Sequence, residues 1–195
     1  MQNSIALDST RLQRLQQAPL WEFALALYAK PGVETACLTL QEEAELDVCE
    51  LLFHCWLYSY GLEAIPRAVA RQREQRRQWQ SSVTEVLRGL RRDLKAPAAS
   101  SDSVAALRET IKQAELMAER ENLQRWQAWV LEAHADEPRV MNIVEMPQDS
   151  AKWLRNQLLF SKANIQSESS LNATSVLCEA LQTLTCQLDP HQGAR

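Results

Sequence analysis

The run VCELLFHCWLYSY, residues 48–60, limits the fold more than any other part of the sequence. Its apolar residues lie on nearly every side of a helix, which means that the helix is buried on most of its surface. Asp47, with Glu50 three residues later, resembles a capping box at the start of this helix, and Gly61 suits its end. Residues 48–60 are therefore predicted to lie inside a compact helical core.

Two amphipathic helices are predicted to precede this buried helix. The run LWEFALALYAKPGVETACLTLQ, residues 20–41, repeats apolar residues at helical spacing on both sides of a Pro-Gly break. Pro31 disfavours a helical conformation in the residue before it, so Pro31 and Gly32 separate the two helices. Cys37 is predicted on the buried face of the second helix. The other structural residues predicted for this core are Trp21, Phe23, Tyr28 and Trp56.

Charges are segregated along the chain, although the net charge is only −4. Residues 34–63 contain seven acidic and no basic side chains, whereas residues 66–95 contain nine basic and three acidic ones. On a helix, five of these cations fall within about 60° of one another. These candidate partner-binding residues are Arg73, Arg77, Arg88, Arg91 and Lys95. Two interpretations remain open: a solvated helix flank, or a basic strip that contacts the phosphate backbone of RNA.

A heptad-like repeat over residues 65–94 predicts one long helix, and residues 104–135 predict a second after the linker APAASSD. Laid antiparallel, these helices form a coiled-coil-like hairpin that projects as an arm. The predicted seam pairs are Leu94 with Val104, Leu90 with Leu107, Val83 with Ala114, Trp79 with Ala118, and Arg76 with Glu121. A second stripe is predicted to pack the base of the arm on the N-terminal helices through Leu116, Leu123, Trp126 and Val130.

These patterns predict an all-α protein that forms one domain. Its parts are an N-terminal extension (1–18), a three-helix core (19–62), the long hairpin (63–136), and a loop with C-terminal helices packed on the core (137–195). Scarce glycine and abundant Leu, Ala, Gln, Arg and Glu agree with this helical class.

The N-terminal motifs resemble an uncharacterised proteobacterial family of short helical proteins. Members of that family typically read LW-x-FA-x-x-LYA-x-PGV-x-x-ACL-x-LQ, followed by DVN-x-LLF. The resemblance is close over residues 20–57 and weaker to about residue 95, and Cys49 stands where the pattern has Asn. The resemblance implies a bacterial cytoplasmic protein and no known activity.

The chain shows no motif for a thiol, metal or membrane function. Its five cysteines lie in apolar stretches without C-x-x-C spacing, which predicts small buried thiols, and His54 is predicted to be a core histidine. There is no apolar run of signal-peptide type at the start and none of membrane-spanning length. We therefore expect a reducing cytoplasm and no membrane contact.

Enzyme motifs are missing as well, since the chain has no Walker loop, G-x-S-x-G, H-E-x-x-H or dinucleotide fingerprint. The sequence predicts no cofactor and favours a non-enzymatic helical adaptor or regulatory protein that binds another protein through the hairpin or a groove at its base. Two alternatives stay open: an RNA- or ribosome-associated factor that uses the basic strip, and a small-molecule or enzyme function in the N-terminal core. The oligomeric state is not predicted.

Overall fold

The computed structural model describes residues 9–134, 136–159 and 171–188. Its helices are α1 (Ser9–Gln17), α2 (Leu20–Tyr28), α3 (Val33–Ala44), α4 (Val48–Ser59), α5 (Pro66–Trp79), α6 (Glu85–Asp93), α7 (Asp102–Leu131), α8 (Ser150–Leu159) and α9 (Leu171–Thr185). These helices confirm the all-α class. Within the same residues, no helix is both long enough and apolar enough to cross a bilayer.

One small sheet, which the sequence did not predict, joins the end of the core to the segment after α7. Strand β1 (Leu62–Ala64) pairs antiparallel with β2 (Val140–Asn142), and Glu63 lies opposite Met141. Three residues are too few to show the alternation by which a strand is recognised in a sequence.

Helix α4 lies at the centre of the molecule, as predicted. Every residue from Cys49 to Ser59 is buried, and His54 is fully buried among them. Asp47 caps the helix, because its carboxylate accepts the backbone N–H of Cys49 at 2.8 Å. The predicted capping box is only half correct, since the Glu50 carboxylate accepts hydrogen bonds from Arg73 on α5.

An aromatic cluster connects α4 with the C-terminal half of α7. The Phe53 ring stacks on Trp126 with 4.6 Å between centroids, and Trp129 meets both rings edge-on. The Trp56 indole donates to the carbonyl of Ala18 at 3.0 Å. The predicted stripe on α7 is correct at Leu123, Trp126 and Val130, which are buried, but Leu116 is 42% exposed.

The Pro-Gly break separates α2 from α3, as predicted. Gly32 is the N-cap of α3 with φ of 81°, a conformation that favours glycine. A Cβ atom there would lie 2.9 Å from Cγ2 of Thr183 on α9, so the glycine also allows α9 to pack closely. Cys37 is fully buried on the inner face of α3.

The thiol prediction is correct for Cys37, Cys49 and Cys55, which are buried, and wrong for the two C-terminal cysteines. Cys178 is partly exposed and Cys186 is exposed, because a thiol in an apolar stretch of a surface helix need not lie on its inner face. All five are free thiols.

The structure describes only part of the predicted N-terminal extension and of the predicted C-terminal region. The predicted extension includes α1, whose Leu15 is fully buried in the core. Helices α8 and α9 pack on the core, as predicted for the C-terminal region. The predicted segments at 160–170 and 189–195 lie outside the described residues.

The predicted long helix contains a π-helical turn that the sequence analysis missed. Helix α5, a π-turn at Gln80–Thr84, and α6 follow one another without a break. A π-turn holds one extra residue, so every later side chain is rotated by about 100° around the axis. The predicted seam therefore fails after Trp79: Thr84 is fully buried, while Val86 and Leu90 are 52% and 47% exposed.

Helix α7 returns antiparallel along α6, so the predicted hairpin is present. The pair of Trp79 and Ala118 is confirmed, because the Trp79 indole donates to the Ala118 carbonyl at 3.1 Å. The predicted ion pair of Arg76 and Glu121 is wrong. Glu121 instead accepts Nε of Arg125, one turn along its own helix, at 2.5 Å. We call residues 85–117, the outer part of the hairpin, the arm.

Candidate partner-binding groove at the base of the arm

A groove of about 400 Å³ lies where the arm meets the N-terminal helices. Helices α2, α3 and α4 form one side, and α6 and α7 form the other. We call it the base groove. It is lined by Trp21, Ala24, Leu25, Tyr28, Glu34, Leu38, Gln41, Val48, Cys49, Leu52, Arg88, Arg91, Arg92, Lys112, Gln113, Glu115, Leu116, Glu119 and Leu123.

Leucine side chains from three helices remain partly uncovered in the base groove. Leu25 on α2 is 50% exposed, and Leu38 on α3 and Leu116 on α7 are each 42% exposed. The partly buried rings of Trp21 and Tyr28 line the same groove. These residues form an apolar surface that no described part of the chain covers.

Arginines and carboxylates form a paired cluster on the arm side of the groove. Glu115 accepts Nε of Arg88 at 2.9 Å and Nε of Arg91 at 2.5 Å, and Glu119 accepts Nη2 of Arg88 at 2.9 Å. Burial opposes the charge of Glu115, but the hydrogen bonds from the two arginines lower its pKa overall. The cluster fixes α6 against α7, whereas Arg92 at the rim is exposed.

The thiol and the phenol in the base groove, Cys49 and Tyr28, are held in their protonated forms. Burial raises the pKa of the Cys49 thiol well above its usual value, and burial followed by nearby charges raises the pKa of Tyr28. The Cys49 sulfur contacts the Glu119 carbonyl at 3.8 Å. A neutral thiol is a poor nucleophile, so this arrangement fits binding better than covalent chemistry.

A second, more polar cavity of about 580 Å³ lies between α4 and the π-turn. Its buried side contains Glu50, which accepts Nε of Arg73 at 2.7 and 2.8 Å and lies 3.5 Å from Nε2 of His54. Burial opposes the charge of Glu50, but His54 and Arg73 lower its pKa overall. Burial, together with Glu50, raises the pKa of Asp47 to about 6. The polar cavity therefore contains one carboxyl group of raised pKa, Asp47, beside one of lowered pKa, Glu50.

Catalytic partners for these carboxyl groups are not evident. Across the three described ranges, no group of three His, Cys, Asp or Glu side chains is placed to hold a metal ion. The carboxylate of Asp47 is already used to cap α4, and that of Glu50 is engaged by Arg73. The polar cavity is therefore explained by its internal ion pair and cap.

The five residues of the predicted basic strip do not form one surface. Arg73 is buried against Glu50, and the rotation at the π-turn directs Arg88 and Arg91 toward α7. Arg77 remains exposed and pairs with Glu74 at 2.8 Å, and Lys95 is exposed after the end of α6. The strip was predicted for an uninterrupted α-helix, and the π-turn separates its two halves.

A groove at the base of the hairpin was among the predicted binding sites, but Trp21 and Tyr28 were assigned to the core and the exposed leucines of the groove were not predicted. Leu25 and Leu38 fall beside the main apolar faces of α2 and α3. That position was the one sign in the sequence that these leucines remain partly exposed. Leu116 belonged to the stripe predicted to pack on the core. Its exposure could not be predicted from the sequence, because it depends on how far α2 and α3 extend along α7.

Comparisons with known proteins give a family and no function. No curated protein and no solved structure matches the chain. A family model does match residues 19–126, which is more than half of the chain and includes every residue of the base groove. The chain therefore belongs to the uncharacterised family described as "Protein of unknown function (DUF2390)".

Proposed function

We propose that this protein is a non-enzymatic helical adaptor that binds an amphipathic helix of another protein in the base groove. The observation that carries the proposal is the group of leucines from α2, α3 and α7 that face one groove at 42–50% exposure. Partly exposed apolar side chains are common singly, but a contiguous concave group of them is typical of an interaction site.

The shape and chemistry of the groove support a helical occupant. An amphipathic helix places apolar residues at i, i+3, i+4 and i+7 along one face, and such a face fits a groove between helices. Leu25, Leu38 and Leu116 supply separate apolar contacts from three helices. Burying each of them further contributes about 25 cal/mol per Å² of apolar surface removed from water.

The charges of the groove favour an acidic flank on the partner helix. Its lining contains four basic and three acidic residues, and the acidic Glu115 and Glu119 are already paired with arginines. Arg92 and Lys112 are exposed, and the contact of Lys112 with Glu109 is long, at 3.7 Å. These two cations are available to carboxylates of a partner.

The extent of the family supports the base groove over the polar cavity. All lining residues of the base groove fall within the family-matched segment, whereas the polar cavity also includes Leu158 outside it. We further propose a proteobacterial origin and a cytoplasmic location, in keeping with the N-terminal motifs and five free thiols.

An RNA-binding role for the basic strip has less support. Three of its five cations, Arg73, Arg88 and Arg91, are engaged in ion pairs inside the protein. A phosphate backbone would have to compete with those carboxylates for the same N–H groups.

The direct test uses a defined helical peptide of about 16 residues, long enough to present about four helical turns. Its leucines occupy one face and its glutamates flank them, and a second peptide carries lysine in place of glutamate. Fluorescence anisotropy is measured with the wild-type protein and with Leu38→Gln and Leu116→Gln. We expect the acidic peptide to bind, and either substitution to weaken it by about tenfold, equivalent to about 1.4 kcal/mol.

Val176→Gln is the matched control, because Val176 is 45% exposed on α9 and lies outside the groove. This variant should bind the acidic peptide like the wild type, and the lysine peptide should bind more weakly to all proteins. Equal peptide affinity in Leu38→Gln, Leu116→Gln and Val176→Gln would rule out the base groove. Binding of a single-stranded RNA without binding of either peptide would favour the RNA alternative.

A further inference from the structure

A third cavity, on the opposite side of α7 from the base groove, has a different chemistry. Its volume is about 440 Å³, and it lies between α5, the C-terminal half of α7 and the segment before β2. Arg71, Arg76, Arg125 and Arg139 line it, together with only two carboxylates, Glu132 and Glu137. We call it the arginine cavity.

Arg76 is the unusual residue of this cavity. Its Nε and Nη1 atoms are inaccessible to solvent and, within the described ranges, have no hydrogen-bond partner. Burial and, next, the charge of Arg125 lower the pKa of Arg76. The carboxylate of Glu121 offsets this only in part, because it is bonded to Arg125. A partly buried guanidinium beside a second cation is an unfavourable arrangement, and the charge of a bound anion would offset it.

The other three arginines are held in place by contacts within the protein. The Arg125 guanidinium lies 4.0 Å from the centroid of the Trp79 ring, and that of Arg139 lies 5.7 Å from the Trp129 ring. Arg71 pairs with Glu137 at 2.7 Å. Arg125 and Arg139, which lie over these rings, lose little further conformational freedom when a ligand binds.

We propose that the arginine cavity binds the phosphate group of a small phosphorylated molecule. Guanidinium groups present paired N–H donors that match phosphate oxygens, and a phosphate monoester carries about −1.5 to −2 charges at neutral pH. The four arginines still outnumber the carboxylates when Glu121, which is bonded to Arg125, is counted with the two in the lining. The inference stands apart from the proposed adaptor function, because it uses a different cavity.

The size and the walls of the cavity indicate a ligand larger than phosphate alone. A volume of about 440 Å³ falls in the range of about 300–1,000 Å³ that is usual for small-molecule sites. Trp129 supplies an aromatic wall, and Gln72 and Gln75 supply amide groups. The organic part of the ligand therefore packs on Trp129 while the phosphate contacts Arg76.

The test is isothermal titration and thermal unfolding of the full chain at constant ionic strength. The probes are phenyl phosphate, inorganic phosphate and a short single-stranded RNA. We expect saturable binding of one phenyl phosphate with an increase in Tm, weaker binding of inorganic phosphate, and no RNA binding at this cavity. Absence of saturable phenyl phosphate binding would overturn the proposal.

Arg76→Met and Arg67→Met form the informative pair of variants. Arg67 is an exposed arginine on the same helix and lies outside the cavity. Arg76→Met should reduce phenyl phosphate affinity by about tenfold or more. Its Tm without ligand should stay equal or rise, because a partly buried charge beside Arg125 has been removed. Arg67→Met should retain wild-type affinity.

Arg76→Lys keeps the charge but lacks the paired donors, so it should bind phenyl phosphate with intermediate affinity. Equal affinity of the wild type and Arg76→Met would contradict the assignment, and so would a lower Tm of unliganded Arg76→Met. RNA binding that Arg76→Met weakens, in the absence of phenyl phosphate binding, would replace the small-molecule ligand with a nucleic-acid backbone.

Discussion

The two halves of α7 pack in different ways. Its C-terminal half places Leu123, Trp126 and Val130 in the apolar core beneath α4. Its N-terminal half contributes nothing to that core and is held to α6 by Glu115 and its two arginines. Burial of apolar surface is not directional, whereas ion pairs depend on geometry and on both partners. The core and the arm should therefore respond differently to the same kind of substitution.

The largest contrast is expected from removing apolar side chains. Trp126→Ala should destabilise the protein by about 3–5 kcal/mol, because it leaves a cavity against Phe53 in the core. Leu107 lies on the arm and is 51% exposed, so Leu107→Ala should change stability by less than about 1 kcal/mol. Urea unfolding followed by far-UV circular dichroism measures both. Similar losses would show that the arm is part of the same core.

The ion pairs of the arm should give the next largest effect. Glu115→Gln removes the carboxylate shared by Arg88 and Arg91 and should cost about 2–3 kcal/mol, since both arginines are largely buried. Glu109→Gln removes an exposed contact to Lys112 and should cost about 0.5 kcal/mol or less. Chemical denaturation of both variants at low and high salt measures the two losses of stability. A negligible loss in Glu115→Gln would mean that the arm is held by its apolar contacts alone.

Replacing a glycine with alanine should have opposite effects on stability in the core and in the arm. Gly32→Ala should destabilise by about 1–3 kcal/mol, because φ is 81° and the new Cβ would meet Thr183 at 2.9 Å. Gly89→Ala should stabilise by about 0.5–1 kcal/mol, because this helical site has nothing within 4 Å of the added atom. Thermal unfolding of both variants checks the prediction. Thr183→Ser should recover only the steric part of the Gly32→Ala loss.

A last contrast concerns the pH dependence of stability and the cap of α4. The pKa of Asp47 is raised from 3.8 to about 6 in the folded protein, so the fold binds this proton more tightly than the unfolded chain. Its contribution to stability therefore falls as pH rises from about 4 to 6. The pKa values of Glu50 and Glu115 are lowered. The stability that these two carboxylates contribute is therefore lost only when the pH falls below the range in which Asp47 titrates.

Asp47→Asn keeps a good cap and removes the titration. The difference in unfolding free energy between Asp47→Asn and the wild type should therefore shift in favour of the variant as pH rises from 4.5 to 7.5. The pKa of Glu119 is raised as well, so the variant should retain part of the pH dependence. A difference that is constant with pH would assign the dependence to other groups.

Much of the fold was predictable because the relevant signals are local. The buried face of α3, the burial of α4, the Asp47 cap and the break at Gly32 each follow from a few neighbouring residues. The pair of Trp79 and Ala118 followed from a seven-residue repeat. The predicted seam of the hairpin failed after Trp79, since the repeat contains no sign of the π-turn that follows it.

The sequence by itself determined which segments are helices and which of their faces are apolar, since both depend on residue spacing within one segment. The tertiary structure decided which charges meet, because the π-turn rotates Arg88 and Arg91 toward α7 and separates them from Arg77. It also decided that Leu25, Leu38 and Leu116 face one groove and that Nε and Nη1 of Arg76 lack a hydrogen-bond partner among the described residues. Such features depend on how far several helices extend past one another, and no single segment contains that information.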